Sequence, residues 1–411
     1  MQTKRVVITG MGSISPFGRG VDILVESLFN MKSAVVHVPA LADLGGLRTR
    51  VAALVTNIDP KEIPRKHRRS MSMMSIYATL ACQEALNQGN PPEEYFTNGR
   101  MGIVIGSTVG SPIATQEFFE DFLTHRCIEN MRATTFFKIM NHSCASNVSQ
   151  TLGIKGRILA PSSACSTSCQ AIGYGSEMIA FGKQDMMLCG GADEFHPLSP
   201  ATFDIMSAAS VAYNDNPNRT PRPFDLNRDG VVCSEGSGIL LLESLESAKK
   251  RGATIFAEIA GFATRTDTSN IADPDSISME ACMRQALEDS GISADRIDYV
   301  NAHATGTIQG DIAEATALNR VFGDNVPVSS LKGHLGHTMA ACGALETIAS
   351  IVMINKGTIV PTLNLENIDP LCANIRHVRK AEQLDLGFFA KNNFALGGVN
   401  TSIVIRRYEH D

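Results

Sequence analysis

The sequence predicts an α/β protein made of two similar halves. Three observations carry this expectation. The chain has 411 residues, more than the ~250–300 that usually share one hydrophobic core. Short β-branched and aliphatic runs alternate with helix-period segments along the whole length, the pattern of βαβ units and sheets covered on both faces. Each half holds one strand–turn–helix rich in reactive side chains, at 158–182 and 326–356, which suggests duplication.

In the first half, residues 4–10 read as a buried strand entering a Gly/Ser/Pro turn, and 20–33 as a helix. Residues 34–60 read as loops with short strands, 75–88 as a helix, and 101–106 as a strand ending in the loop Gly106-Ser-Thr-Val-Gly-Ser. Residues 115–153 are mostly helical, and 157–160 read as the end of a buried strand before a helix. A strand at 185–191, a long turn-rich excursion over 192–237 and a strand at 238–242 complete this half. The joint falls near 245–256, giving halves 1–250 and 251–411. In the second half the expected strands are 298–302, 326–330, 386–394 and 402–407, with helices at 311–322 and 338–356.

Composition narrows the function. With 44% hydrophobic and 19% charged residues the chain is globular rather than disordered. A net charge of −6 argues against nucleic acid as a partner. Ten cysteines without CxxC pairs fit free thiols in a reducing compartment, not a disulfide scaffold or a metal site. The opening MQTKRVVITG has no apolar stretch of signal length, and no run approaches the ~18 apolar residues of a membrane span. A cytoplasmic location follows as the expectation.

The chemistry centres on 162-SSACSTSCQAIGYGSEM-178. Cys165 falls at a sharp strand-to-helix turn, with Ser162 and Ser163 where N-cap residues belong. A helix N-terminus favours an anion, so the thiol is expected to drop from ~8.5 to ~7 or below. A lone cysteine is more often a small buried hydrophobe; the partners downstream decide otherwise. They are 301-NAHATGTIQGD-311 with His303, 331-LKGHLGHTMAACGALE-346 with Lys332, His334 and His337, and the Gly-rich 391-KNNFALGGVNTS-402.

Taken together with VVITGMG at the start and RPFDLNRDG at 222–230, these motifs make the chain resemble the β-ketoacyl-acyl-carrier-protein synthases over essentially its whole length. These are thiolase-fold condensing enzymes of fatty acid and type II polyketide synthesis. The paired His303 and His337 match the Cys-His-His members. The resemblance implies a five-layered αβαβα thiolase fold and a dimer with 130–165 in its interface. It implies no metal and no cofactor, because substrates ride on the phosphopantetheine arm of an acyl carrier protein. Cys165 is implied to take an acyl group as a thioester, a task for a soft nucleophile. His303 and His337 are implied to bind the malonyl-carrier carbonyl and assist decarboxylation. The backbone amides of Cys165 and Leu396 would form the oxyanion hole.

Other roles also come from the resemblance. Lys332 and Glu346 are an implied ion pair at the site, with Asp311 and Glu314 in support. Thr305 and Thr307 would hold the phosphopantetheine arm. Val109 and Phe137 would line the acyl pocket, Phe137 reaching in from a partner subunit, with Phe394 and Leu396 at its gate. The basic run 65-RKHRR-69, in an acidic protein, would dock the acidic carrier through Lys66 and Arg69.

The closing turn departs from the family's usual FGFGGTN. Leu396 replaces a gating Phe, Ala395 a Gly, and Ala304 a Gly in NAHATGT. Lys391 stands where a small residue usually lies beside a monovalent cation, and its ammonium is expected to take that cation's place. These changes point to a secondary pathway, such as polyene or polyketide synthesis. Two competing readings are a non-catalytic chain-length-factor subunit, as partner or as the chain itself, and a thiolase acting on coenzyme A esters. The retained Cys165, His303 and His337 oppose the first, and NAHATGT with K-x4-GH opposes the second.

Overall fold

The structure, a computed structural model, describes residues 3–129, 131–271 and 273–409. The first half contributes strands β1 (Val6–Ser15), β2 (Met101–Gly106), β3 (Ile158–Leu159), β4 (Met186–Asp193) and β5 (Gly236–Ser244). The second contributes β6 (Ala257–Thr266), β7 (Tyr299–Asn301), β8 (Pro327–Ser329), β9 (Arg376–His377), β10 (Phe388–Ala395) and β11 (Val399–Arg407). The order across the sheet is β3-β2-β4-β5-β1, then β6-β11-β10-β7-β8-β9. Leaving out the terminal β9, both halves place their strands third, second, fourth, fifth, first. The hand of each pairing repeats as well. β2 is parallel to β3 and β4, with β5 antiparallel to β4 and β1; β7 is parallel to β8 and β10, with β11 antiparallel to β10 and β6. The two first strands meet antiparallel, Val6 opposite Ile259.

Helices cover both faces. Helices α1 (Met73–Gly89), α2 (Pro112–His125), α3 (Ser143–Leu152), α4 (Thr167–Ala180) and α5 (Leu198–Ile205) belong to the first half. Helices α6 (Ser276–Ser290), α7 (Ile308–Phe322) and α8 (Cys342–Lys356) belong to the second. The layers run α1 and α3, first sheet, α4 and α8, second sheet, α6 and α7. Alternation along β2 sends Ile103 and Ile105 to the outer helices and Val104 to the middle layer. Strands buried on both faces explain the near-continuous apolar runs. Among the described residues, one helical stretch, 339–356, is apolar enough to cross a membrane, and it is mostly buried as core.

Two local expectations fail. Ile158 and Leu159 are 41% and 38% exposed, because β3 is the sheet's edge and has no outer neighbour in this chain. The helix expected over 338–356 starts late: Met339–Ala341 is a 3-10 turn and the α-helix begins at Cys342, with a separate short helix (Lys332–Leu335) ending at Gly336 (φ 67°) before it. The excursion over 192–237 also contains α5, which the turn-rich reading did not separate.

Candidate active site

Cys165 is held by a strained turn. Ala164 has φ 46°, a left-handed value that a side chain disfavours, and opens a 3-10 turn (Ala164–Ser166) leading into α4. Ser162 and Ser163 do not cap it. The Ser162 hydroxyl donates to Thr108 O at 3.0 Å, and Ser163 bonds Gln170. Thr167 stitches the turn instead, accepting from Ser163 N at 2.9 Å and donating to Ala164 O at 2.8 Å.

The structure brings Cys165, His303 and His337 together, with their ligand atoms within 4.8 Å of one another. The two imidazoles stand edge to face, centroids 5.4 Å apart, and Phe394 stands edge-on to His303 at 6.4 Å. His337 Nε2 lies 2.8 Å from Cys165 Sγ. Partners on the far side assign the tautomers. Met339 N–H donates to His337 Nδ1 at 3.3 Å, and Asn393 Nδ2 donates to His303 Nδ1 at 3.3 Å. The Asn393 amide is oriented by Cys169, whose thiol donates to its Oδ1 at 3.0 Å. Both imidazoles therefore carry their proton on Nε2, facing the reaction space. Burial, then the Lys332 ammonium, pushes both well below the usual histidine range, so both are neutral donors. A metal would need Nε2 lone pairs, and both Nδ1 atoms already accept N–H groups, so the donor set does not suit one.

The expected low-pKa thiol is not found. Burial pushes Cys165 up to about 11, against the pull of Lys332 and of the Leu396 and Cys165 backbone N–H groups. Desolvation of a sulfur in a residue only 5% exposed outweighs a one-turn dipole. The same two amides flank the sulfur, the pair expected for an oxyanion hole.

Behind the histidines lies a buried charge triad. Lys332 Nζ donates to Glu346 Oε1 at 2.7 Å. Lys391 Nζ pairs with Glu346 Oε2 at 2.6 Å, off hydrogen-bond geometry, and donates to Asn392 O at 2.7 Å. All three side chains are at most 1% exposed. Burial would lower Lys332, but Glu346 holds it above its ordinary value. Glu314 accepts from the N–H groups of His303 (2.7 Å) and Ala304 (2.6 Å) and fixes that loop. Asp311 accepts from Phe224 N (2.8 Å) and Gly306 N (3.1 Å). Burial raises these carboxyls to about 7 and about 6. Arg228, from the 222–230 motif, donates to Asp369 at 2.6 Å and to Ile308 O at 2.9 Å, securing the start of α7.

Two cavities meet at Cys165. One, of about 460 Å³, is lined by His303, His337, Thr305, Thr307 and Phe394. The other, of about 980 Å³ and mostly apolar, runs along α2 and α5 and includes Val109. Besides Cys165, Leu396 and Phe203 line both, and Leu396 belongs to the closing turn. It is placed by Gly397 and Gly398, both at positive φ; a Cβ on Gly398 would meet Asp267 O at 2.3 Å. Phe137 lies on a short helix (Ala133–Ile139) against His142 and lines neither cavity of its own chain. Lys66 and Arg69 are exposed, at and just beyond the short helix Arg65–Arg68, apart from both cavities. His334 points away from the sulfur, its ring nitrogens against Lys32 O (3.0 Å) and Pro361 O (3.1 Å).

Sequence reasoning missed Asn393, Cys342 and Asp193. Cys342 Sγ donates to Cys165 O at 3.2 Å. Asp193 ties the 107–108 loop to the turn beyond His337, accepting from Ser107 Oγ (2.7 Å), Thr108 N (2.9 Å) and Ala340 N (2.8 Å). The one available signal was a pair of asparagines inside the apolar stretch 388–395.

Family models for the beta-ketoacyl synthase N-terminal and C-terminal domains match residues 3–248 and 256–366. The chain is 36% identical to the 3-oxoacyl-[acyl-carrier-protein] synthase 1 of Escherichia coli strain K12, over 98% of this chain and 99% of that protein. Among solved structures, a beta-ketoacyl synthase from Burkholderia phymatum STM815 superposes with TM-score 0.95 at 42% identity, over 99% of this chain and 100% of that one. A type II polyketide ketosynthase in complex with its acyl carrier protein and a hexaketide superposes with TM-score 0.91 at 28% identity, with the same coverage.

Proposed function

This chain belongs to the beta-ketoacyl synthase family, and we propose that it condenses a malonyl unit with an acyl group held on Cys165. It is an acyltransferase whose substrates travel on an acyl carrier protein, with no cofactor beyond the carrier's phosphopantetheine. In the first half-reaction the Cys165 thiol loses its proton and attacks the carrier thioester. The C–S bond to phosphopantetheine breaks, and that sulfur leaves with a proton. The oxyanion in between is held by the amides of Cys165 and Leu396.

In the second half-reaction the malonyl thioester enters the smaller cavity past Thr305 and Thr307. Its carbonyl accepts from His303 and His337 Nε2–H, which stabilise the enolate formed as carbon dioxide leaves. The carbanion attacks the acyl-Cys165 carbonyl, a C–C bond forms, and the cysteine sulfur departs. The observation that carries this reading is the shared tautomer: both imidazoles present an N–H to the space above Cys165. Neutral imidazoles suit an enolate that must go on to react. A chain-length-factor role does not need this donor pair.

The remaining assignments are part of the same proposal. The halves 1–250 and 251–411 are one duplicated unit, with the nucleophile in the first and the histidines in the second. Lys66 and Arg69 meet the acidic carrier. The protein pairs with a second copy or a paralogue over 130–165, covering the exposed Phe136, Ile158 and Leu159 and bringing the partner's Phe137 to the acyl pocket. Ten cysteines, all free, fit a reducing cytoplasmic compartment. The test is product formation from acyl- and malonyl-carrier, with intact mass reporting acyl-Cys165. A chain that is never acylated would refute the reading, and turnover of acetyl-coenzyme A alone would favour a thiolase.

A further inference from the structure

The large cavity has an apolar lining with one polar seam that the mechanism does not use. Helix α2 lays one face along it: Pro112, Thr115, Gln116, Phe119, Glu120 and Leu123, at helical spacing. Thr115 returns its hydroxyl to Ser111 O at 2.9 Å. Asp193 and Glu194, also in the wall, already accept from Ser107, Thr108, Ser111 and backbone amides. Thr202 returns its hydroxyl to Leu198 O at 2.9 Å, and beside Asp43 and Ser199 the linked polar seam is His196, Gln116 and Glu120.

Its polarity has a direction. Leu198 N–H donates to His196 Nδ1 at 3.1 Å, so the ring proton is on Nε2. Nε2 then donates to Gln116 Oε1 at 2.7 Å. That fixes the Gln116 amide with its NH2 outward, and Gln116 Nε2 donates to Glu120 Oε1 at 2.7 Å. His196 is 7% exposed, and burial holds it below the usual histidine range, a neutral single donor. The relay ends on a carboxylate that accepts, in the wall of a cavity that Cys165 also lines. Glu120 lies eight residues along α2 from Pro112, roughly 12 Å at ~1.5 Å per residue.

We propose that the Gln116–Glu120 pair is a specificity element that selects acyl groups carrying a hydroxyl at their distal end. The proposal rests on the acyl-Cys165 reading above. A hydroxyl would donate to the Glu120 carboxylate, and the His196–Gln116 relay would hold that carboxylate in place. A plain alkyl terminus there would strip water from the carboxylate and offer no hydrogen bond in its place. This is binding selectivity and adds no chemical step.

The experiment uses the full chain and pantetheine thioesters in matched pairs, octanoyl against ω-hydroxyoctanoyl and the same pair two carbons longer. Cys165 acylation is followed by intact-protein mass spectrometry. The wild type should acylate faster with the hydroxylated member of at least one pair, by about tenfold, the worth of a hydrogen bond to a charged group. Glu120→Leu should erase that preference, slowing the hydroxylated thioester and speeding the alkyl one, and Gln116→Leu should weaken it. Glu120 is exposed in the single chain, so neither change should unfold the protein, and a thermal melt checks this. Equal rates in the wild type, or a preference that survives Glu120→Leu, overturn the proposal and leave the seam as a latch between α2 and the loop before α5. If neither thioester acylates the wild type, the acyl-enzyme reading falls and takes this proposal with it.

Discussion

The two halves solve the same turn in different ways. After the third strand of each comes a 3-10 turn opened by a non-glycine residue at positive φ, Ala164 (46°) before α4 and Met339 (51°) before α8. Cys165 and Ala340 are thus topological equivalents. Seven residues separate Leu159 from Thr167, whereas twelve separate Ser329 from Cys342. The longer connection is where Lys332, His334 and His337 reside, and it carries His337 over the sulfur. The backbone amides diverge too: that of Cys165 faces its own sulfur, and that of Ala340 is consumed by Asp193 at 2.8 Å. A repeated backbone supplied two strained turns, and the length and hydrogen bonding around each distinguish the one that carries the proposed nucleophile.

The largest effect should come from breaking the first turn. Cys165→Ala should abolish acylation and condensation with the fold intact, read by intact mass and a thermal melt. Adding Ala340→Cys to that variant should restore nothing, because its amide is already used; any acylation at 340 would undo the contrast. The raised thiol also sets a pH dependence. Only the thiolate is alkylated, and the thiol deprotonates near 11, so iodoacetamide labelling of Cys165 should keep rising above pH 9. A plateau near pH 7 would mean that the helix start outweighs burial after all.

The second turn should fail at a different step. His303→Ala and His337→Ala should each lower malonyl decarboxylation by ~10²–10³, the usual loss of one oxyanion-type donor, and spare acylation of Cys165. In the assigned tautomer His337 donates to the sulfur and does not take its proton. Equal loss of both half-reactions would make one histidine the base for the thiol.

The triad behind the histidines gives a smaller effect, in stability. Glu346→Gln leaves two buried ammonium groups without a counter-charge and should cost about 3–5 kcal/mol in denaturant unfolding. Lys391→Met leaves the Lys332–Glu346 pair balanced and should cost less. The reverse order would mean that Lys391 carries the network.

What the sequence made legible follows from where chemistry sits. Cys165, His303 and His337 lie on the connections that follow strands, inside short motifs, so their types and neighbours were visible. Asn393 and Asp193 act through hydrogen bonds across the fold, which leave no period in the chain. The exposed β3 reads as buried because aliphatic residues look alike at a sheet's centre and edge. The thiol was misjudged for a related reason: a helix start is local and readable, whereas the desolvation that overrides it comes from packing by the other half.

The mildest test concerns Leu396, a residue that the two cavities share. Leu396 is 39% exposed and lines both. Its backbone N–H is directed at Cys165 Sγ, so the proposed oxyanion contact depends on the main chain and should survive a side-chain change. Ala395 ends β10 just before it, and the two glycines that allow movement follow it. A Phe at this position would fill the junction where an acyl chain turns from the sulfur into the larger cavity. Leu396→Phe should therefore keep acylation by short saturated thioesters near wild type and slow it selectively for long or conjugated ones. The ratio of the two acylation rates, read by intact mass, checks this. An unchanged ratio would move the control of chain type to Val109 and the face of α2.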